Sequence, residues 1–97
     1  MRNDVGSIEQ IFENKINKLA AIQHEIWVHW QSYLHSQCVK NEDGSLTIPS
    51  QLVGHWEKQI NTNYDELSKE EKASDIEQVA KLKSIVMGML LEAQRIK

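Results

Sequence analysis

The sequence predicts an all-α protein with two long helices, a short central helix, and a small extended hairpin or turn at residues 40–48. Apolar residues recur every three or four positions over long stretches, which is typical of helices with one buried face. One proline and four glycines among 97 residues leave room for long uninterrupted elements. A helix-start motif at Ser68 is the third observation. We expect a single domain over residues 1–97.

The first helix is predicted over residues 7–37, with Ser7 as N-cap and Gln10 completing a weak capping box. Its apolar face is formed by Ile8, Ile11, Phe12, Ile16, Leu19, Ile22, Ile26, Trp27, Trp30 and Leu34. A helix of this length would span roughly 45 Å. Because that is long for a small domain, we expect either a kink near residues 22–24 or packing against another chain.

The central segment contains a turn and a short helix. Asp43-Gly44 is a turn signal, and residues 45–48 look extended, although no obvious second strand is available to pair with them. Pro49 then suits the first turn of a helix. The spacing of the apolar residues that follow predicts a helix over about residues 50–60, which ends at residues 61–63.

The third element begins at a capping box, in which Ser68 and Glu71 satisfy each other's free backbone N–H groups. Apolar residues then continue at helical spacing as far as Ala93. Residues 85–91 are apolar on more than one face, and a helix of that kind needs cover on several sides. We therefore expect a homo-oligomer in which residues 1–20 and 85–97 take part in self-association.

Composition excludes several classes of protein. A net charge of -3 argues against binding a nucleic-acid polymer through its phosphates. The single cysteine, Cys38, excludes a disulfide framework and fits a reducing compartment. No apolar run approaches the roughly 20 residues of a membrane helix, and residues 1–4 lack the features of a signal peptide. We expect a cytoplasmic protein that does not interact with membranes.

The histidines do not form a recognisable metal or catalytic motif. His24 and His29 are five residues apart, whereas the zinc-protease helix needs a spacing of four to place both on one face. His35 and Cys38 could share a metal, but no second pair follows at zinc spacing. We therefore predict no metal, no cofactor, no catalytic residues and no enzymatic activity.

The aromatic residues support two interpretations. Five of the six lie between residues 27 and 64. They either fill the space between the helices or line a pocket for a planar, polar ligand such as a nucleobase. On the second interpretation, the ligand-binding residues are Trp27, Trp30, Trp56, Gln59, Asn61, Tyr64 and Lys72.

The segment from Asn63 to Asp75 resembles the most characteristic stretch of the ryanodine-receptor repeat domain, as it occurs in bacteria and phages. His24-Glu25-Ile26-Trp27 resembles the first-helix signature of that family. Small phage proteins of unassigned role are also similar: they share a tryptophan-rich first helix, an Asp-Gly-Ser turn, an Ile-Pro step and a Trp followed by a basic residue and Gln. The likeness covers about residues 22–86. Two features depart from the family: Ile76 stands where an arginine is usual, and a second Trp-Tyr-Gly segment is absent.

The resemblance implies a ligand-binding module, and prokaryotic members are suspected of sensing nucleotide-derived signals. Our first functional hypothesis is therefore non-catalytic binding or sequestration of a nucleotide-like small molecule, as by a phage protein that captures a cyclic-nucleotide immune signal of its host. The alternative is a helical protein-interaction module, an assembly or inhibitor subunit, with no small-molecule ligand.

Overall fold

A computed structural model describes residues 5–96 and confirms the mainly helical fold class. The helices are α1 (Val5–Asn14), α2 (Ile16–Gln37), α3 (Ser50–Ile60), α4 (Lys69–Val79) and α5 (Lys83–Gln94). Short 3-10 turns cover Tyr64–Glu66 and Ala80–Leu82, and two strands, β1 (Val39–Lys40) and β2 (Leu46–Thr47), form a hairpin. Within residues 5–96, no helix combines the length and the apolar character needed to span a membrane.

The predicted first helix is in fact two helices. It is interrupted at Lys15, where the backbone N–H donates to the Phe12 carbonyl at 3.0 Å. No glycine or proline marks this position, and α2 continues without interruption through residues 22–24. The prediction of Ser7 as N-cap is also wrong, because α1 begins at Val5. The Gln10 side chain donates instead to Asn14 Oδ1 at 2.8 Å.

The hairpin at residues 40–48 is confirmed, and the strand that pairs with β2 directly follows α2. The two strands are antiparallel, with Val39 opposite Thr47. In the turn, Asp43 Oδ1 accepts hydrogen bonds from the Ser45 backbone N–H at 2.9 Å and from the Ser45 hydroxyl at 2.6 Å. Gly44 has a φ of 89°, a conformation that favours glycine. The Asp-Gly signal therefore has a direct structural role.

The short helix and the capping box also agree with prediction. Helix α3 runs over Ser50–Ile60, and the Pro49 carbonyl accepts its first backbone hydrogen bonds. At the start of α4, the Ser68 N–H donates to Glu71 Oε1 at 2.9 Å, and the Glu71 N–H donates to Ser68 Oγ at 3.1 Å. The third element does not continue as one helix, since the Ala80–Leu82 turn separates α4 from α5.

The chain divides into two compact units. Unit 1 comprises Met1–Ile26 with Ile76–Lys97, and unit 2 comprises Trp27–Asp75. In unit 1, α1 packs against α5, and Lys15 Nζ lies 3.4 Å from Glu92 Oε1. Of the segments predicted to self-associate, residues 5–20 and 85–96 lie in unit 1, whereas residues 1–4 and 97 lie outside the described part of the chain.

Neither unit contains a fully buried apolar core. Between residues 5 and 96, no hydrophobic side chain is buried in the single chain. The one buried residue is polar: Gln78, on α4 in unit 1, is 3% exposed, and its Oε1 has no hydrogen-bond partner. Buried polar atoms are normally paired, so Gln78 is an unusual feature of this fold.

Candidate functional site

All seven predicted ligand-binding residues fall in unit 2, on three successive parts of the chain. Trp27 and Trp30 lie on α2, Trp56 and Gln59 lie on α3, and the others follow in the connection to α4 and its first turn: Asn61, Tyr64 and Lys72. The structure brings two of them, Tyr64 and Lys72, into a direct contact. The other five are positioned by their own helices or by bonds to other residues.

The aromatic side chains of α2 lie on its surface rather than in a core. Trp27 is 54% exposed and Trp30 is 37% exposed. The rings of Trp30 and Tyr33 meet edge to face with centroids 6.4 Å apart, and His29 packs edge-on against Trp30 at 4.7 Å. Aromatic pairs of this geometry contribute about 0.5–1.5 kcal/mol each beyond the area that they bury. Trp56, on α3, is partly buried.

Tyr64 and Lys72 form a cation–aromatic pair. The Lys72 ammonium lies 5.7 Å from the centroid of the Tyr64 ring, within the range of a cation–π interaction. Two local features place them together: Tyr64 opens the 3-10 turn, and the Ser68–Glu71 capping box starts the helix that carries Lys72. Tyr64 is 47% exposed, so one aromatic surface and one positive charge are available side by side to a ligand.

The two predicted amide residues form hydrogen bonds within unit 2. Gln59 Nε2 donates to Glu71 Oε2 at 2.6 Å and so joins α3 to α4. Asn61 Nδ2 donates to the Glu57 carbonyl at 2.9 Å and covers the end of α3. These structural contacts limit what either amide can offer a ligand.

Glu71 is the centre of this polar network. The pKa of the Glu71 carboxyl is held below its usual value, first by the hydrogen bond from the Ser68 backbone N–H. The side chains of Gln59 and then Ser68 lower it further. The carboxylate is therefore ionised at neutral pH. Its two oxygens bind the capping N–H and the Gln59 amide respectively.

A cleft of about 550 Å³ lies between α3 and the start of α4. It is lined by His55, Lys58, Gln59, Thr62, Glu66, Leu67, Ser68, Glu70 and Glu71. Gln59 is the one predicted ligand-binding residue among them. Three carboxylates against one lysine give the cleft an acidic character, which disfavours a phosphate group.

The sequence-based prediction missed most residues of the cleft because it followed the aromatic side chains. A weaker signal was present on α3, where His55 and Gln59 are four residues apart and so share one side of the helix. Thr62 follows just after the helix ends. The three glutamates lie in the segment that resembles the ryanodine-receptor repeat, but their convergence on α3 depends on a turn that the pattern does not specify.

Unit 1 carries a different kind of surface. Its exposed large apolar side chains are Val5, Ile8, Phe12 and Ile16 near the N-terminus, and Ile76, Val79, Val86, Met87, Leu90 and Leu91 in α4 and α5. The sequence predicted that residues 85–91 would be apolar on several faces. In the structure, Leu90 and Leu91 are each 54% exposed.

Within residues 5–96 there is no group of three or more His, Cys, Asp or Glu side chains arranged to hold a metal ion. The pair considered in the sequence, His35 and Cys38, is linked through the backbone, with the Cys38 N–H donating to the His35 carbonyl at 3.3 Å.

Comparison of the chain with protein-family models, with curated proteins and with solved structures gave no match. The resemblance to the ryanodine-receptor repeat therefore stays a prediction from the sequence, and the function has to be inferred from the surfaces of the two units.

Proposed function

We propose that this chain is a non-catalytic, helical protein-interaction module that associates with copies of itself. The observation that carries the proposal is the state of its apolar side chains. Between residues 5 and 96 none of them is buried in the single chain, while large ones are about half exposed in both units. Contiguous exposed apolar surface is characteristic of protein-binding regions.

Association would stabilise such a chain considerably. Complete burial of one Leu, Ile, Val, Phe or Met side chain contributes about 1.5–3 kcal/mol. A domain of about 60–100 residues has only a small core of its own, and chains of this size commonly rely on a partner. Phe12 and Leu90 are about half exposed, so they would gain roughly half of this free energy only when another chain covers them.

Sedimentation equilibrium at several micromolar concentrations tests the proposal. We expect a species heavier than the 11.2 kDa monomer and a midpoint of thermal unfolding that rises with protein concentration. A monomer at every concentration, with a midpoint that does not move, would contradict self-association.

A second function, non-catalytic binding of a nucleotide-like small molecule, is favoured by the contact between Tyr64 and Lys72. An exposed ring can stack on a nucleobase, and an adjacent ammonium can pair with a phosphate. Exposed Trp27 and Trp30 add aromatic surface in the same unit. The resemblance implies the biological form of this activity, which is sequestration of a host cyclic-nucleotide signal by a phage-encoded protein.

Isothermal titration with a panel of cyclic and linear nucleotides tests this second function. Binding should weaken at least tenfold in Tyr64→Ala and in Lys72→Ala. Lys69→Ala is the matched control, because Lys69 also lies in the first turn of α4, whereas the ammonium over the Tyr64 ring is that of Lys72. Absence of heat with every nucleotide would rule out this function and leave the first unaffected.

A further inference from the structure

Two neighbouring stripes of apolar side chains in unit 1 form what we call the unit 1 apolar face. The first stripe is Ile8, Phe12 and Ile16, which are four residues apart and run along α1 into the start of α2. The second consists of two adjacent pairs on α5, Val86 with Met87 and Leu90 with Leu91. All seven side chains are more than 40% exposed.

The contacts within unit 1 do not cover this face. Helix α1 contacts α5, and the residues that are more buried there are Ile11 on α1 with Ile85 and Met89 on α5, while the face residues beside them stay exposed. The ion pair between Lys15 and Glu92 also joins the two elements. The apolar face is thus left over after unit 1 has formed its own helix–helix contact.

The charges beside the two stripes have opposite signs. Helix α1 carries Glu9 and Glu13 and no basic residue. Around α5 lie Lys81, Lys83 and Arg95, whereas the acid of that segment, Glu92, is paired with Lys15. Pairing α1 with α1 of another copy would bring carboxylates together, but pairing α1 with α5 of another copy would join opposite charges. A two-fold axis makes that favourable contact twice.

We propose that a second copy of this chain covers the unit 1 apolar face, with α1 of each copy packed against α5 of the other. This inference rests on the proposed self-association and assigns it a surface, a partner and a pairing.

Single charge substitutions test the surface. We expect Phe12→Glu and Leu90→Glu to weaken association at least a hundredfold in sedimentation velocity and to yield monomers. Ile60→Glu is the matched control, since Ile60 is even more exposed but lies on α3 in unit 2. Circular dichroism verifies that helix content is kept, and Leu90→Ser replaces any charged variant that loses it.

The pairing is tested by disulfide formation in a Cys38→Ser background. When Ile8→Cys and Leu90→Cys proteins are mixed and oxidised, we expect the mixed dimer to form faster than either self-linked dimer. Preferential self-linking of the Ile8→Cys protein would overturn the α1–α5 pairing.

The possible failures can be told apart. A monomeric native chain contradicts the proposed function together with this inference. An oligomer that survives Phe12→Glu and Leu90→Glu but dissociates in Ile60→Glu contradicts this inference alone.

Discussion

In unit 2, short polar contacts fix the turns of the chain, whereas in unit 1 the helices leave an apolar face exposed. The Asp43 carboxylate organises the hairpin turn, the Ser68–Glu71 box starts α4, and the bond from Gln59 to Glu71 joins α4 to α3. Unit 1 has the surface ion pair between Lys15 and Glu92, an interaction that contributes little to stability.

Turns held by local polar contacts depend mainly on the sequence around them, whereas an exposed apolar face depends on another surface to cover it. The hairpin turn and the capping box of unit 2 join residues two and three apart, so the local sequence favours them directly. The bond from Gln59 to Glu71 joins residues twelve apart. An apolar stripe stabilises a fold only when something covers it. Unit 1 is therefore where we expect stability to depend on protein concentration.

The largest expected effect comes from shortening an apolar side chain in each unit. We expect Leu90→Ala to lower the free energy of unfolding by about 2 kcal/mol or more at concentrations where the protein is associated, because the proposed second copy would bury Leu90. Ile60→Ala, in unit 2, should change it by less than about 0.5 kcal/mol, since Ile60 is exposed.

Urea denaturation at two protein concentrations measures both variants. Equal, small losses of unfolding free energy in the two variants at the higher concentration would show that Leu90 is no more buried by association than Ile60. A Leu90→Ala effect that is independent of concentration would place its cause within the single chain.

Replacing one glutamine in each unit should have a smaller effect on the free energy of unfolding. Gln78 is buried with an unpaired Oε1, whereas Gln59 donates to an ionised glutamate. Replacing Gln78 by Met should raise the free energy of unfolding by about 1 kcal/mol, because a buried oxygen without a partner costs about 1–3 kcal/mol. Gln59→Met should lower it by about 1 kcal/mol through loss of the bond.

Thermal unfolding of the two variants measures this difference in sign. Destabilisation by Gln78→Met would show that Gln78 makes a compensating bond in the associated protein.

The sequence predicted the locally determined features and missed those that depend on packing. The box at Ser68 and Glu71 and the helix after Pro49 follow from residues close together in the chain, and both are confirmed. The interruptions at Lys15 and at residues 80–82 contain neither glycine nor proline, so no local signal marked them. Helical periodicity continues through both.

The candidate site shows the same division. Tyr64 and Lys72 lie in the segment that resembles the ryanodine-receptor repeat, and they are in contact although eight residues apart. Their role in ligand binding stays a prediction. The prediction that Gln59 and Asn61 bind a ligand did not foresee that both amides form hydrogen bonds within the fold. The partner of Gln59 lies twelve residues away on another helix, where no local pattern indicates it.

Two helix glycines give a smaller comparison. A methyl group added at Gly54 in α3 or at Gly88 in α5 meets no atom within 4 Å. Each Gly→Ala substitution should therefore raise the free energy of unfolding by about 0.5–1 kcal/mol by restricting the unfolded chain. Gly88 lies about 160° from Leu90 around α5 but about 60° from Leu91, at the edge of the apolar face, so its gain is measured together with association.

Urea denaturation compares the two glycine variants with the native chain, and sedimentation checks association. Dissociation of the Gly88→Ala protein would show that the interface extends past Leu91 to Gly88.

The smallest expected effect concerns the pH dependence of unit 2. The Ser68 N–H and the Gln59 amide lower the pKa of Glu71 in the folded chain, so its carboxylate stabilises the fold above the pKa of an unfolded glutamate. That contribution is present at neutral pH and declines as the pH falls through the folded-state pKa.

An NMR titration of the Glu71 carboxyl carbon should give a midpoint below that of a glutamate in an unstructured peptide. In Gln59→Met the midpoint should move upward yet stay below that reference, because the Ser68 N–H, the larger cause, remains. A midpoint that does not respond to Gln59→Met would mean that the 2.6 Å bond does not hold the carboxylate in solution. Unit 2 would then lack the polar contact that joins α3 to α4.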